Sequence, residues 1–275
     1  MSTPAISVNL CVWKPDPRFF PQAVESILNQ TFTDFELIIV EDPSDRDGRA
    51  MIRNLLGDSR IRYIKNKNRT GLCAQRNLAI ELSRAPYIAV MDADDIAELQ
   101  RLEKQFLFAE SNPEIKVHGC CITIIDEGDH IIGVRRYPTD HQDVTRAMRR
   151  YNAIAHPTAF ANKNVLQAVG GYVPEYYTTE DYELCARLLR EGHALANLPD
   201  LLLRYRIHLQ SIKATRTKIT LRNTLKVKRR YFLREFHLFD WLRYFGEHLL
   251  LVFPSGIVNW LFMKVTYRSQ EPSHG

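Results

Sequence analysis

The stretch YIAVMDADDIAEL, residues 87–99, decides the fold. An apolar run ends at Met91, and three carboxylates follow within four positions: Asp92, Asp94 and Asp95. Two carboxylates about 4 Å apart repel by roughly 4 kcal/mol at an effective dielectric near 20. A cation, helix N-terminal amides, protonation or open water must offset that repulsion.

Outward from this stretch, the first half alternates between two hydrophobic periods. Short runs rich in Ile and Val, at residues 6–12, 36–41, 60–64 and 87–91, predict strands. Helical patterns fall near residues 20–30, 47–56, 72–84 and 96–111. Such alternation implies an α/β fold, a mostly parallel sheet with helices on both faces. Ligands of such sheets bind outside the carboxyl ends of the strands. Both VEDPSD (40–45) and MDADD (91–95) follow strand ends, so they are expected to share one site. Asp95, with Glu98 three residues on, predicts a capping box for a helix beginning at Ile96. The second half is less regular, with strands expected at 117–125, 131–136 and 201–206 and helices at 164–169 and 180–191. AVGGY (168–172) reads as a helix stop and turn, because paired glycines tolerate positive φ.

The 275 residues, 45% hydrophobic and 25% charged, suit one large globular domain with or without an extension. Five cysteines with no CxxC spacing (Cys11, Cys73, Cys120, Cys121 and Cys185) read as reduced packing residues. The N-terminus carries no basic leader, which predicts a cytoplasmic chain. The net charge of +5 is uneven: 12 Lys/Arg face 4 Asp/Glu from Lys213 onward, against 25 and 28 before it. This asymmetry predicts a domain over residues 1–212 and a basic helical extension over 213–275 with an anionic partner. Nine Lys/Arg and no acids lie between Lys213 and Arg234, while Leu221, Leu225, Phe232, Phe236 and Phe239 fall at helical spacing. LLLVFPSGIVNWLFMKV (249–265) is broken at Pro254, Ser255 and Gly256, and each half is far below the ~20 residues that span a bilayer. The extension therefore suits either the surface of an anionic membrane or a helical subdomain with a solvated basic face. No nucleic-acid recognition motif accompanies the charge.

Six collinear stretches together resemble the family-2 glycosyltransferases of the GT-A fold: residues 27–45, 58–80, 85–95, 155–172, 178–189 and 201–211. The resemblance implies a GT-A-type, Rossmann-like sheet over about residues 5–212. It also implies a metal-dependent, inverting transfer of a sugar from a nucleotide diphosphate sugar, UDP-linked, to a hydroxyl of a glycan or lipid-linked acceptor. Surface polysaccharide assembly at the inner face of a bacterial membrane is the setting it suggests.

The chemistry supports those roles. A departing diphosphate gathers negative charge that a hard divalent cation stabilises, and Mn²⁺ or Mg²⁺ prefers oxygen ligands. The resemblance makes Asp94 of the DxD motif the leading metal ligand, puts Asp92 near the metal or ribose, and brings His208 to the metal or diphosphate. It assigns Asp42 to the imide N–H of a uracil, which needs a carboxylate or carbonyl to read it; this favours a uridine or thymidine nucleotide, while guanine also presents donors. Arg76, on a helix starting just after Gly71, suits phosphate or base contacts, and Asn77 orients its loop. An acceptor hydroxyl needs a base, and the helix-start acids of TTEDYELCARLL supply one: Asp181 by resemblance, with Glu180 aiding acceptor binding. His156 in AHPTAF is expected to shape the pocket.

Two stretches depart from the family pattern. Pro-Thr-Tyr-Asn becomes Cys11, Val12, Trp13 and Lys14, so any base contact at Val12 must come from its backbone. Asp-Asp-Gly-Ser becomes Glu41, Asp42, Pro43 and Ser44, where proline removes an amide and fixes φ. A sugar nucleotidyltransferase also pairs an α/β sheet with metal-binding acids, but it opens with a glycine-rich loop that VNLCVWKPDP lacks. A catalytically inactive carbohydrate-binding or scaffold relative is the third possibility.

Overall fold

The computed structural model describes residues 3–207 and 212–253, with the backbone alone for 212–216. His208 and the part of the 249–265 apolar segment from Pro254 onward lie outside the described residues. Four strands, β1 (Ile6–Val12), β2 (Phe35–Glu41), β3 (Ile61–Lys65) and β4 (Tyr87–Asp92), run parallel in the order β3-β2-β1-β4. β1 and β2 are buried along nearly their whole length, which is why they read as continuous apolar runs rather than alternating ones. α1 (Phe19–Leu28) buries Phe20, Ala23, Val24 and Ile27, and α3 (Leu72–Leu82) buries Cys73, Ala79 and Ile80. Between β2 and β3 the expected helix shrinks to one turn, α2 (Gly48–Met51). Of the next residues only Ile52 is fully buried, so no apolar stripe exists to hold a longer helix.

After β4 the chain does not enter a helix. Residues Ile96–Ala97 form β5, paired antiparallel with β9 (Ala194–Arg206), and α4 (Arg101–Ser111) begins only afterwards. The Asp95–Glu98 capping box is therefore not formed. Asp95 accepts instead from the Arg206 amide at 2.8 Å, and Glu98 pairs with Arg204 at 2.7 Å. Gln30 caps the new helix start, its Oε1 accepting from Leu102 N at 2.9 Å. A neighbouring strand offers residues 96–98 hydrogen bonds across the chain, and these outweigh the local helix signal.

The second half extends the sheet through β6 (Ile115–Ile125), β7 (Ile131–Arg135) and β8 (Phe160–Asn162), in the order β4-β8-β6-β9-β5 with β7 on β6. β8 and the first half of β9 go beyond the strands expected from sequence, as does α5 (His141–Met148) among helices. α6 (Lys163–Ala168) and α7 (Glu180–Arg190) occupy the expected places. α8 (Ile212–Tyr231) and α9 (Leu238–Leu250) form the basic extension. Val227 and Phe232 join one buried cluster with Tyr176, Tyr182 and Leu188, so the extension packs on α7. Lys228, expected on a basic surface, is buried and donates to both oxygens of Glu247 at 2.6 and 2.7 Å. Among the described residues no helix is long and apolar enough to cross a membrane. All five cysteines are free thiols, and all but Cys11 are buried.

His118 of β6 stacks on Phe160 at 5.0 Å and is buried without a partner for Nε2. Burial pushes its pKa down from 6.5 to about 3. Between those values the unfolded chain binds a proton that the folded chain refuses, so stability falls as pH drops, by about 1.4 kcal/mol per pH unit at most. Above pH 6.5 the group contributes no pH dependence. His118→Phe should therefore flatten the fall in melting temperature between about pH 6 and pH 4. Parallel melting curves for variant and wild type across that window would refute it.

Candidate active site

The turn after β4 sits at the carboxyl edge of the parallel strands, and arginines from three separate elements hold it. Arg76 of α3 lies 3.7 Å from Asp92 Oδ1. Arg206 of β9 donates from Nε to the Asp94 carbonyl at 2.8 Å, while its own amide donates to Asp95. Arg101 of α4, fully buried, donates to the Val90 carbonyl at 2.6 Å just beneath the turn. Arg206 also reaches the Asp126 carbonyl, Asp129 and Gln22, and lies 4.1 Å from the centre of the Phe19 ring. Asp95 is completely buried, with Oδ2 unbonded, and burial together with Asp94 and Asp92 pushes its pKa well above the usual carboxylate range. It therefore turns inward and leaves Asp92 and Asp94 as the pair on the partly exposed turn.

The opposite wall is the start of α7. Arg76 Nη1 donates to Glu180 Oε1 at 2.6 Å, and Nη2 lies 3.1 Å from His156 Nδ1. His156 Nε2 is 2.9 Å from the Tyr172 hydroxyl, and the Tyr172 ring lies 5.2 Å from the guanidinium. Burial raises the Glu180 pKa despite Arg76, and Asp181 adds to the rise. Glu180 Oε2 is buried with no hydrogen-bond partner. Asp181 is half-buried, with Oδ2 accepting from Asn152 Nδ2 at 3.0 Å. Asn77 braces the Tyr172 segment: its side chain accepts from Tyr172 N at 2.7 Å and donates to Tyr172 O at 2.9 Å. Gly171, at φ 66°, makes room for that bracket, since a Cβ there would meet Asn77 Oδ1 at 2.4 Å.

The third wall lies at the ends of β1 and β2. Asp42 is fully buried, and its carboxylate accepts four hydrogen bonds. The donors are Asn66 Nδ2 (2.8 Å), Thr70 Oγ1 (2.9 Å), Thr70 N (2.9 Å) and Gly71 N (2.7 Å). The Val12 carbonyl accepts from Asp42 N at 3.0 Å and Gln75 Nε2 at 2.9 Å. Both acceptors are thus occupied by the protein itself, and Asp42 ties the 66–71 loop to the strand end. Arg76 differs from its expected setting as well: its guanidinium serves Glu180, His156 and Asp92 rather than facing an open phosphate site.

Among the described residues no three His, Cys, Asp or Glu side chains converge on a ready-made metal cage. Two carboxylates on one turn still fit Mg²⁺ or Mn²⁺, which take one or two protein oxygens and complete their shell with substrate phosphates and water. Several contributors carry no motif of their own. Arg206 lies within an apolar strand run, and Arg101, Gln75 and Asn152 reach the site only through the fold.

The curled, mostly parallel sheet flanked by helices, with its acidic turn at the carboxyl edge, is the GT-A architecture of nucleotide-sugar-dependent glycosyltransferases. A mannosyltransferase from Pyrobaculum calidifontis, solved with GDP-Man and Mn²⁺, superimposes with a TM-score of 0.63 over 97% of this chain and 83% of its own, at 11% identity. The sequence model of glycosyl transferase family 2 matches residues 15–169, and the chain belongs to that family. It is a glycosyltransferase, which sets aside the nucleotidyltransferase alternative. The matched segment stops short of Glu180 and Asp181. The O-antigen biosynthesis glycosyltransferase WbnJ of Escherichia coli is 33% identical over 75% of this chain and 81% of its own. WfaP of E. coli, a UDP-Glc:α-D-GlcNAc-diphosphoundecaprenol β-1,3-glucosyltransferase, is 31% identical over 74% of this chain and 78% of its own.

Removing Arg76 leaves Glu180 buried without its cation. Arg76→Met should cost about 3–5 kcal/mol of stability, as for other broken buried pairs. Adding Glu180→Gln should recover part of that loss. Urea denaturation of the two single variants and the double variant measures the coupling, and strict additivity would dissolve the pair.

Proposed function

We propose that the chain moves a sugar, with inversion, from a uridine diphosphate sugar to a hydroxyl of a glycan or lipid-linked acceptor in surface polysaccharide assembly. One observation carries this reading: Arg76 lies 3.7 Å from Asp92 and 2.6 Å from Glu180, so one buried cation joins the donor-side turn to the acceptor-side helix. The names of the relatives WbnJ and WfaP support the pathway and the uridine donor.

In this reading the sugar lies between the two walls. Asp181, aimed by Asn152, takes the acceptor proton as the new glycosidic bond forms and the bond to the diphosphate breaks. One base and no protein nucleophile amount to a single displacement, hence inversion. Asp92 and Asp94, with His208 beyond the described residues, would hold Mn²⁺ or Mg²⁺, which supplies Lewis-acid stabilisation of the diphosphate leaving group. Two of the four donors on Asp42 are side chains, Asn66 and Thr70. The imide N–H of uracil would have to displace one of these side chains to reach Asp42, which is buried. Glu180, braced by Arg76, fixes the start of α7 and with it the acceptor side.

Release of nucleoside diphosphate from a panel of nucleotide sugars, with Mn²⁺ present, is the direct assay. Chelation should abolish turnover, and Asp94→Asn should lower both kcat and donor binding. Full activity in excess chelator would remove the metal from the scheme.

Asp181→Asn should reduce kcat by about 100-fold or more while donor binding, followed by calorimetry with UDP, stays near wild type. A variant that instead loses UDP affinity and keeps its rate would reassign the residue. The anomeric configuration of the product, read by NMR, should be opposite to that of the donor.

A further inference from the structure

α9 is inverted relative to an ordinary surface helix. Its inner face holds Asp240 and Tyr244, both buried, with Glu247 beside them receiving Lys228 and Arg243. Its outer face presents Leu238, Leu242, Phe245 and Leu249, spaced i, i+4, i+7 and i+11, with Phe239 at the border. These side chains are between 59% and 73% exposed, and Val252 just past the helix is 80% exposed. Single exposed leucines are ordinary on a protein surface, but an unbroken apolar stripe along a helix is an interaction surface.

We propose that this outer face of α9 seats in the interfacial layer of an anionic phospholipid membrane. Charge selects that occupant. On the two helices and the turn between them Arg222, Lys226, Arg229, Arg230, Arg234 and Arg243 are exposed, while Glu235 is the one exposed acid among the described residues of 217–253. Two copies meeting through this face would bring like charges together, whereas an anionic lipid surface complements them. The apolar stripe with flanking cations is the composition of a helix that lies in an interface. The contact also differs from what the sequence pattern implies, because Lys228 is buried on Glu247 and Lys226 pairs with Glu175. The apolar stripe, not the basic run, is the inserting element.

The face is tied to the acceptor side of the site. Asp240, on the inner side of α9, pairs with Arg150 at 2.8 Å, two residues before the Asn152 that holds Asp181. α8 attaches to the loop leading into α7, through Thr220 to Thr178 at 2.9 Å and Asn223 to the Tyr177 carbonyl at 2.7 Å. Membrane seating would thus orient the start of α7 toward lipid. Only that orientation rests on the transferase reading; the lipid contact does not.

Flotation of the full-length protein with phosphatidylcholine vesicles, with and without phosphatidylglycerol, tests the proposal. Wild type should float with the anionic vesicles, and high salt should weaken but not abolish the contact. Leu242→Gln, Phe245→Gln and Leu249→Gln combined should lower vesicle affinity at least about tenfold, with the melting temperature and solution hydrolysis of the nucleotide sugar unchanged. Tryptophan emission of wild type should be quenched by brominated acyl chains, a signal independent of any variant's folding. Absence of wild-type flotation, absence of quenching, or equal binding by the triple variant would each overturn the proposal. So would light scattering that shows a wild-type dimer and a monomeric triple variant, since a second copy would then cover the face. Hydrolysis with no flotation would sink the docking face alone, and flotation with no transferase activity would sink the catalytic reading alone.

Discussion

Three carboxylates crowd one strand-end turn; burial holds the Asp95 pKa well above the usual carboxylate range, and arginines from three elements fix the turn in place. Arg76, Arg101 and Arg206 arrive from α3, α4 and β9, three separate elements of the chain. Each ties an element to the turn. Arg101 ties α4 to the end of β4 through the Val90 carbonyl. Arg206 fastens β9 to the turn through the Asp94 carbonyl and Asp95, and to α1 through Gln22. Arg76 carries the connection across the cleft to Glu180. Buried charges of this kind add little net stability compared with a well-packed apolar core, but removing one partner is costly. The arrangement therefore makes the turn and the helix facing it rigid relative to each other.

The second half of the sheet follows from the same requirement. β9 pairs parallel with β6 and antiparallel with the short β5, so one strand both extends the sheet and grips the acidic turn. β8 bridges β4 to β6 with only three residues, and its neighbour Thr158 sits in the core, donating to the Ala155 carbonyl at 2.7 Å. These contacts hold the segment carrying His156 against the parallel half, beside Arg76. The walls of the site thus come from different halves of the chain but share one continuous sheet.

The C-terminal helices belong to this framework through α7. Val227 and Phe232 enter the cluster beneath α7, Tyr231 donates to Glu183, and Lys228 satisfies Glu247 from within. A basic count along the sequence says nothing of which lysine is buried; packing decided that. It also turned the apolar side of α9 outward, contrary to the usual polarity of a helix at a domain edge.

What the sequence determined by itself was periodic and local. The four parallel strands, the helices α1 and α3 and the carboxyl-edge position of Asp42, Asp92 and Asp94 were legible, because apolar period and turn chemistry act within a few residues. The helix-start position of Glu180 and Asp181 was legible for the same reason. Tertiary structure decided the rest. It made residues 96–97 a strand, turned Asp95 inward, occupied the Asp42 and Val12 acceptors and committed Arg76 to Glu180. None of these has a local signature, since each depends on a partner from a distant segment, such as Arg206 for Asp95 or the 66–71 loop for Asp42. A carboxylate's chemistry can be read from its residue type, but its direction is set by the nearest donor that folding brings to it.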